Sequence, residues 1–188
     1  VPFTLNTKIL LLEHLYLELH IYIRSVTGYS PSIIKFTLLN LPIYYHSKFL
    51  LQPIDYSAQV WLNNITILNS QTKNGALFLS YSDNGANITI LNSYFQNNVI
   101  VGQGGGAVNL NNVEFGTYIF KNSIFQENKA KKLLSAGGFG GALYLSYNNF
   151  THSKPTYVID SCKFINNSAE SGGGAVYTYG IPPDCIGE

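Results

Sequence analysis

Apolar and polar side chains alternate without a break along residues 15–24. Leu15, Leu17, Leu19, Ile21 and Ile23 share one parity; Tyr16, Glu18, His20, Tyr22 and Arg24 share the other. A period of two belongs to an extended chain with one buried face, and helical spacing would scatter the leucines around the axis. The pattern therefore predicts a β-strand. Shorter apolar runs at 33–39 and 49–51, punctuated by Pro31, Pro42 and Pro53, read as degenerate strands joined by turns. Beyond residue 60 the alternation becomes repetitive. Ile65-Thr66-Ile67-Leu68-Asn69-Ser70 aligns with Ile88-Thr89-Ile90-Leu91-Asn92-Ser93, and then with the segments beginning at Tyr118 and Tyr157.

Two further phrases recur in fixed order. Phe95-Gln96-Asn97-Asn98, Phe125-Gln126-Glu127-Asn128 and Phe164-Ile165-Asn166-Asn167 follow F-x-x-N. Each precedes a G-G-A-[VL] phrase: Gly105-Gly106-Ala107, Gly140-Gly141-Ala142 and Gly173-Gly174-Ala175. Asn74-Gly75-Ala76-Leu77 is a weaker first version of the glycine phrase. The alanines at 76, 107, 142 and 175 step by 31, 35 and 33, whereas strand starts at 65, 88, 118 and 157 step by 23, 30 and 39. Constant phrases with elastic links are the mark of a solenoid, whose turns must stack while its loops bulge outward. Helical repeats would need longer amphipathic segments, and a propeller blade would need four antiparallel strands. The reading is an all-β, right-handed parallel β-helix.

Within each coil the alternation assigns faces. Ile88, Ile90, Ser93 and Phe95 point inward, with a bend at Asn92. Tyr118, Phe120, Ser123 and Phe125 follow in the next coil, and Tyr157, Ile159, Cys162 and Phe164 in the one after. Phe95, Phe125 and Phe164 then stack along the axis, beside a row of Ser93, Ser123 and Cys162. Asn98, Asn128 and Asn167 are expected to form hydrogen-bonded ladders at the spacing of neighbouring strands, in positions that tolerate a left-handed turn. The paired glycines are expected where the chain turns sharply and adjacent coils approach closely. No helix is predicted after them, so a phosphate-cradling role is set aside.

Composition agrees. Charged residues make up only 11% of the 188 residues, against about a quarter in an ordinary soluble domain. Asn, Ser, Thr, Tyr and Gly replace them, which suits short strands and tight turns. Sixteen of the 17 glycines lie after residue 60. That shift separates residues 1–60, degenerate early coils or an N-terminal cap, from the repeats at 61–179 and a tail or linker at 180–188. A net charge of +1 recruits neither nucleic acid nor an acidic membrane surface, and Lys129, Lys131 and Lys132 read as a solvated loop. No apolar stretch reaches the ~20 residues of a membrane helix. The chain opens on Val1 and is expected to be a fragment of a longer one.

The paired motifs resemble the G-G-A-[ILV] and F-x-x-N repeats of the polymorphic outer membrane proteins of chlamydiae. More broadly they are similar to right-handed parallel β-helices of the pectin-lyase-like type. The resemblance covers roughly residues 63–179. It implies a surface-exposed passenger, several of which are adhesins, exported by a C-terminal membrane barrel. No barrel segment is visible here, so the export route does not carry over.

Candidate chemistry is sparse. Enzymes on this kind of fold need clustered Asp with Arg or His, but the aspartates are Asp55, Asp83, Asp160 and Asp184, scattered along the chain. Asp160 has Lys121 and Leu91 at the equivalent positions and reads as a lone exposed carboxylate, with Glu127 its one potential partner across coils. His20 lies on a polar strand face, and His152 has no identifiable partner. Asn64, Asn87, Asn149 and Asn166 open N-x-[ST] sequons, but a chain this rich in Asn, Ser and Thr carries about three by chance. Cys162 is expected to be a buried free thiol, not bridged to Cys185.

The functional expectation is a non-catalytic extracellular or cell-surface segment, acting as a stalk or an adhesive surface. No cofactor or metal is expected, and the partner is a carbohydrate or a host or cell-surface protein. Tyr144 and Tyr177, beside Asn109, are the candidate exposed contact face; the plainer reading is that they merely cover a sheet. The alternative is a polysaccharide lyase or glycoside hydrolase, or a remnant of one. With too few residues after Tyr179 to cap the last coil, the chain is expected to self-associate through residues 173–179.

Overall fold

The structure, a computed structural model, describes residues 18–23, 33–37, 48–53, 59–73, 75–80, 86–113, 116–147, 154–180 and 186–187. Among the described residues every regular element is a strand, and apart from one antiparallel pair (Lys129–Leu133 with Ala136–Gly137) the strands stack in parallel, coil upon coil, as a β-solenoid. Each coil visits four faces in turn. The first face carries Gln59–Asn63, Ala86–Leu91, Gly116–Lys121 and Pro155–Asp160. The second carries Thr66–Leu68, Tyr94–Gln96, Ile124–Gln126 and Lys163–Ile165. The third carries Gln71–Thr72, Val99–Val101, Lys129–Leu133 and Ser168–Ala169. The fourth, built on the glycine phrases, carries Leu77–Ser80, Val108–Val113, Leu143–Tyr147 and Val176–Tyr179.

The degenerate region joins the same sheets. Ile33–Thr37 pairs in parallel with Gln59–Asn63 on the first face. Glu18–Ile23 pairs with Lys48–Pro53, which pairs with Leu77–Ser80 on the fourth. At the other end, Ile186–Gly187 lies parallel to Val158 and Ile159, in a stretch where the sequence pattern offered no strand.

Asparagine corners separate the faces. Asn64, Asn92, Asn122 and Ser161 all have φ between 48° and 58°, and turn the chain from the first face to the second. Asn69, Asn97, Glu127 and Asn166 do the same from the second to the third. Few side chains other than glycine accept this left-handed region, and Asn does so most readily. The expected left-handed position is therefore corrected by one residue. The turn is made by the residue before Asn98, Asn128 and Asn167, which frees those three to point inward.

One sequence alignment is also corrected. Ile65–Ser70 (Ile65-Thr66-Ile67-Leu68-Asn69-Ser70) does not sit under Ile88. Val60 and Leu62 pair with Ile88 and Ile90, while Thr66, Ile67 and Leu68 pair with Tyr94, Phe95 and Gln96. The true step between these coils is 28 residues, the separation of Ile65 from Ser93 and of Ser70 from Asn98. The first repeat thus has Ile67 in the Phe position and Ser70 in the Asn position.

The core runs along the axis. Ile67, Phe95 and Phe125 are buried, and Phe164 is partly buried against them. Phe125 stacks on Phe95 at 5.1 Å and on Phe164 at 5.0 Å, with rings within 8° of parallel. Tyr118 and Phe120 are buried beside them as the alternation required, whereas Ile159 and Cys162 in the last coil are only partly buried.

The glycines of these phrases meet two different demands, a positive φ and close approach between coils. Gly140 and Gly173 lie at φ 64°. Gly106 and Gly141, by contrast, are in ordinary conformations but pressed against the next coil. A Cβ on Gly141 would lie 2.0 Å from the Gly174 carbonyl oxygen and 2.6 Å from the Ser168 nitrogen. A Cβ on Gly174 would meet nothing nearer than 3.6 Å. Gly141→Ala is therefore expected to cost roughly 1–3 kcal/mol through overpacking. Gly174→Ala should be neutral or slightly stabilising, since it restricts the unfolded chain without a clash. Urea unfolding of the two variants checks this; equal effects would contradict the close approach.

Candidate functional site

The repeat positions singled out by the sequence converge on the solenoid interior as two ladders. In the first, Asn98 Nδ2 donates to Asn128 Oδ1 (2.9 Å), and Asn128 Nδ2 to Asn167 Oδ1 (3.0 Å). The second hydrogen of each amide reaches a carbonyl of the F-x-x-N phrase in a neighbouring coil: Asn98 to Ile67 (3.0 Å), Asn128 to Phe95 (3.0 Å) and Asn167 to Phe125 (2.8 Å). Backbone N–H groups of Ser70, Asn98 and Asn128 donate to the Oδ1 atoms one coil further on. Buried polar groups persist only when partnered in this way.

The second ladder is the small-residue row. Ser93 Oγ donates to the Leu91 carbonyl (2.6 Å) and accepts from the Ile65 N–H (3.2 Å). Ser123 Oγ donates to Lys121 (3.0 Å) and accepts from the Ser93 N–H (3.1 Å). Cys162 continues the row as a free thiol whose Sγ donates to the Asp160 carbonyl at 3.4 Å. Burial pushes this thiol above the ordinary range, only partly offset by the Ser123 N–H. Because the thiolate is the nucleophile, Cys162 is expected to react slowly with iodoacetamide at pH 8 when folded and fast in urea. Peptide mapping reads this residue apart from Cys185, which lies outside the described residues. Equal rates in the two conditions would contradict the placement.

On the outside, a further ladder was not foreseen. Asn92 Nδ2 donates to Asn63 Oδ1 (2.9 Å), and Asn97 Nδ2 to Asn69 Oδ1 (2.7 Å). The recurring Asn at each corner was the available signal. Asp160 is also corrected from lone carboxylate to ion-pair member. It lies in register with Lys121, is bridged to its ammonium, and accepts from Ser161 Oγ at 2.8 Å. The hydrogen bonds from Lys121 and Ser161 hold its carboxyl below the usual range. Glu127 turns instead to Gln96 and Gln126. His152, Asn149, Asp55, Asp83 and Asp184 lie outside the described residues. Among the described residues no group of three or more His, Cys, Asp or Glu could hold a metal ion, and no helix is long and apolar enough to cross a membrane.

The candidate contact face is corrected as well. Tyr144 is only 1% exposed and Asn109 only 2%. The outward side of the fourth face is covered by the glycine-rich links. Gln103 Nε2 donates to Tyr144 Oη (2.9 Å), and Asn109 Nδ2 to the Gln103 carbonyl (3.3 Å). Tyr144 stacks on Tyr177 at 5.7 Å, and Phe139 packs on Tyr177 at 4.6 Å. These tyrosines form a second, smaller packed layer outside the axial core, with Tyr144 itself covered by the Gln103 link. The Lys129–Leu133 segment is likewise a strand, not a loop, although its lysines are exposed.

Parallel coils held together by internal amide, hydroxyl and aromatic ladders define this as a repeat-built β-helix. Residues 161–179, the coil carrying Phe164, Asn167 and Gly173-Gly174-Ala175, match the Chlamydia polymorphic membrane protein (Chlamydia_PMP) repeat. The chain therefore carries a repeat of that kind on the β-helix its motifs implied. Searches of the curated proteins and of the solved structures return no match.

Proposed function

We propose that this chain is a non-catalytic structural segment displayed outside the cell, a stalk or adhesive surface whose outer faces meet carbohydrate or a host or cell-surface protein. The observation that carries this reading is how the repeated polar residues are used. Asn98, Asn128, Ser93 and Ser123 are buried and hydrogen-bonded between coils, so the motif's polar chemistry goes into stacking. A low charge content and the match of one coil to a surface-protein repeat support it. Antibodies against the chain should label intact cells of its source, and labelling only after permeabilisation would contradict display. Incubation with acidic and neutral polysaccharides tests the non-catalytic part. Release of unsaturated or reducing ends that disappears in Asp160→Asn would overturn it.

A further inference from the structure

The third coil carries an element its neighbours lack. Ile100, Ala130 and Ala169 are register partners, as are Val108, Leu143 and Val176, which aligns Gly105, Gly140 and Gly173. The link from the first set to the second is five residues in one coil (100 to 105), four in another (169 to 173) and ten in the third (130 to 140). The extra residues form an antiparallel hairpin, with Lys132 opposite Gly137 and Leu133 opposite Ala136. Insertions of this kind concentrate on one face of a solenoid, often the face that binds.

The base of the hairpin is fixed to both neighbouring coils. The Gly138 N–H donates to the Gly102 carbonyl (2.8 Å), Ser171 Oγ to the Gly137 carbonyl (2.6 Å), and the Lys132 N–H to Glu170 Oε2 (2.8 Å). The tip, by contrast, is open: residues 131–136 are all exposed, Leu133 by 51% and Leu134 by 95%. Leu134 also stands at φ 58°, where every other non-glycine residue described is Asn, Glu or Ser. A leucine there serves neither solubility nor backbone preference, and such outliers point to function. The surrounding face is basic. Among the described residues Lys73, Lys129, Lys131 and Lys132 lie on or beside it, against the carboxylates of Glu170 and of Glu127 at its corner.

We infer that this hairpin is an anionic-bilayer contact, in which the leucines of the tip enter the interfacial layer while the lysines meet lipid phosphates and carboxylates. Basic residues beside an anionic leaflet each add attraction, and apolar side chains add depth. Two exposed leucines at the tip favour a lipid surface over nucleic acid or a strongly acidic protein face, neither of which offers a continuous acyl layer to enter beside its anionic groups. The whole-chain charge of +1 hides this local concentration.

The test is co-sedimentation of the 188-residue chain with phosphatidylcholine vesicles, with and without phosphatidylserine. Binding is expected only with phosphatidylserine, and should weaken as salt rises. Lys131→Gln and Lys132→Gln should each weaken it about fivefold. Leu134→Asn should weaken it about tenfold or more, yet leave thermal stability unchanged or raised, because Asn accepts the left-handed conformation better. That split separates contact from folding. Equal binding to neutral vesicles, no binding to either, or full binding by Leu134→Asn would overturn the proposal. So would polyglutamate binding of equal strength that Leu134→Asn leaves unchanged, which would make the face a general anion site.

Discussion

Phe125→Ala is expected to lower the unfolding free energy by roughly 3–5 kcal/mol, the usual cost of removing a core aromatic ring. Phe125 is 0% exposed and sits between two parallel rings at 5.1 and 5.0 Å, with Phe120 edge-on at 6.3 Å. The backbones above and below are fixed by parallel ladders on either side, so the coils cannot close on the space. The cavity remains and its cost is added to the lost transfer energy. Phe164→Ala should cost clearly less, because Phe164 is only partly buried. Urea unfolding of the two variants measures the difference. Equal losses would show that the stack does not act as one column.

Asn128→Ala is expected to cost a comparable amount, roughly 3–5 kcal/mol, although it removes a polar side chain. Asn128 is 0% exposed, and its amide is saturated. Both hydrogens are donated, to Asn167 Oδ1 and the Phe95 carbonyl, while Oδ1 accepts from the Asn98 N–H and from Asn98 Nδ2. Alanine would leave the buried Asn98 N–H and one hydrogen of its amide without their acceptor and take a donor from the Phe95 carbonyl, at about 1–3 kcal/mol each, while Asn167 Oδ1 keeps the N–H of residue 128. Asn97→Ala offers the comparison. Its side chain bonds Asn69 at an exposed corner, so the loss there should be the ~1–2 kcal/mol of placing a non-Asn residue at positive φ. If both variants unfold at the same urea concentration, the inner ladder carries no special weight.

Much of this architecture could be read from the chain because its phrases are physical necessities of stacking. The Phe stack, the inward Ser-Ser-Cys row and the amide ladder each follow from alternation plus repetition, and each is present. What misled was local resemblance between different faces of two neighbouring coils. Ile65-Thr66-Ile67-Leu68-Asn69 and Ile88-Thr89-Ile90-Leu91-Asn92 both read as a short strand ending in an Asn corner. Both end that way, but on different faces: Asn69 and Asn92 both have a left-handed φ, the first at the corner from the second face to the third and the other at the corner from the first face to the second in the next coil. Only the pairing between coils separates them. The exposure of Tyr144 was illegible for a related reason. Alternation correctly turns it away from Leu143 and Leu145, but a glycine-rich link that folds back over a sheet leaves no periodic trace. The ion pair of Asp160 with Lys121 was within reach of the sequence, since the 39-residue step already set the two at equivalent positions; what was left out is that equivalent residues on parallel neighbours lie close enough to pair.

The central claim is the parallel register of successive coils, and a pair of engineered cysteines tests it most directly. In a Cys162→Ser, Cys185→Ser background, cysteines at Thr66 and Tyr94 would occupy neighbouring positions on adjacent parallel strands. Such positions lie about 4.8 Å apart, inside the roughly 4.4–6.8 Å that a disulfide spans. Cysteines at Thr66 and Thr89, the pairing implied by local text alone, belong to different faces. Mild oxidation followed by mass spectrometry should find a disulfide in the 66/94 variant and free thiols in the 66/89 variant. A disulfide at 66/89 with none at 66/94 would contradict the register on which the fold rests.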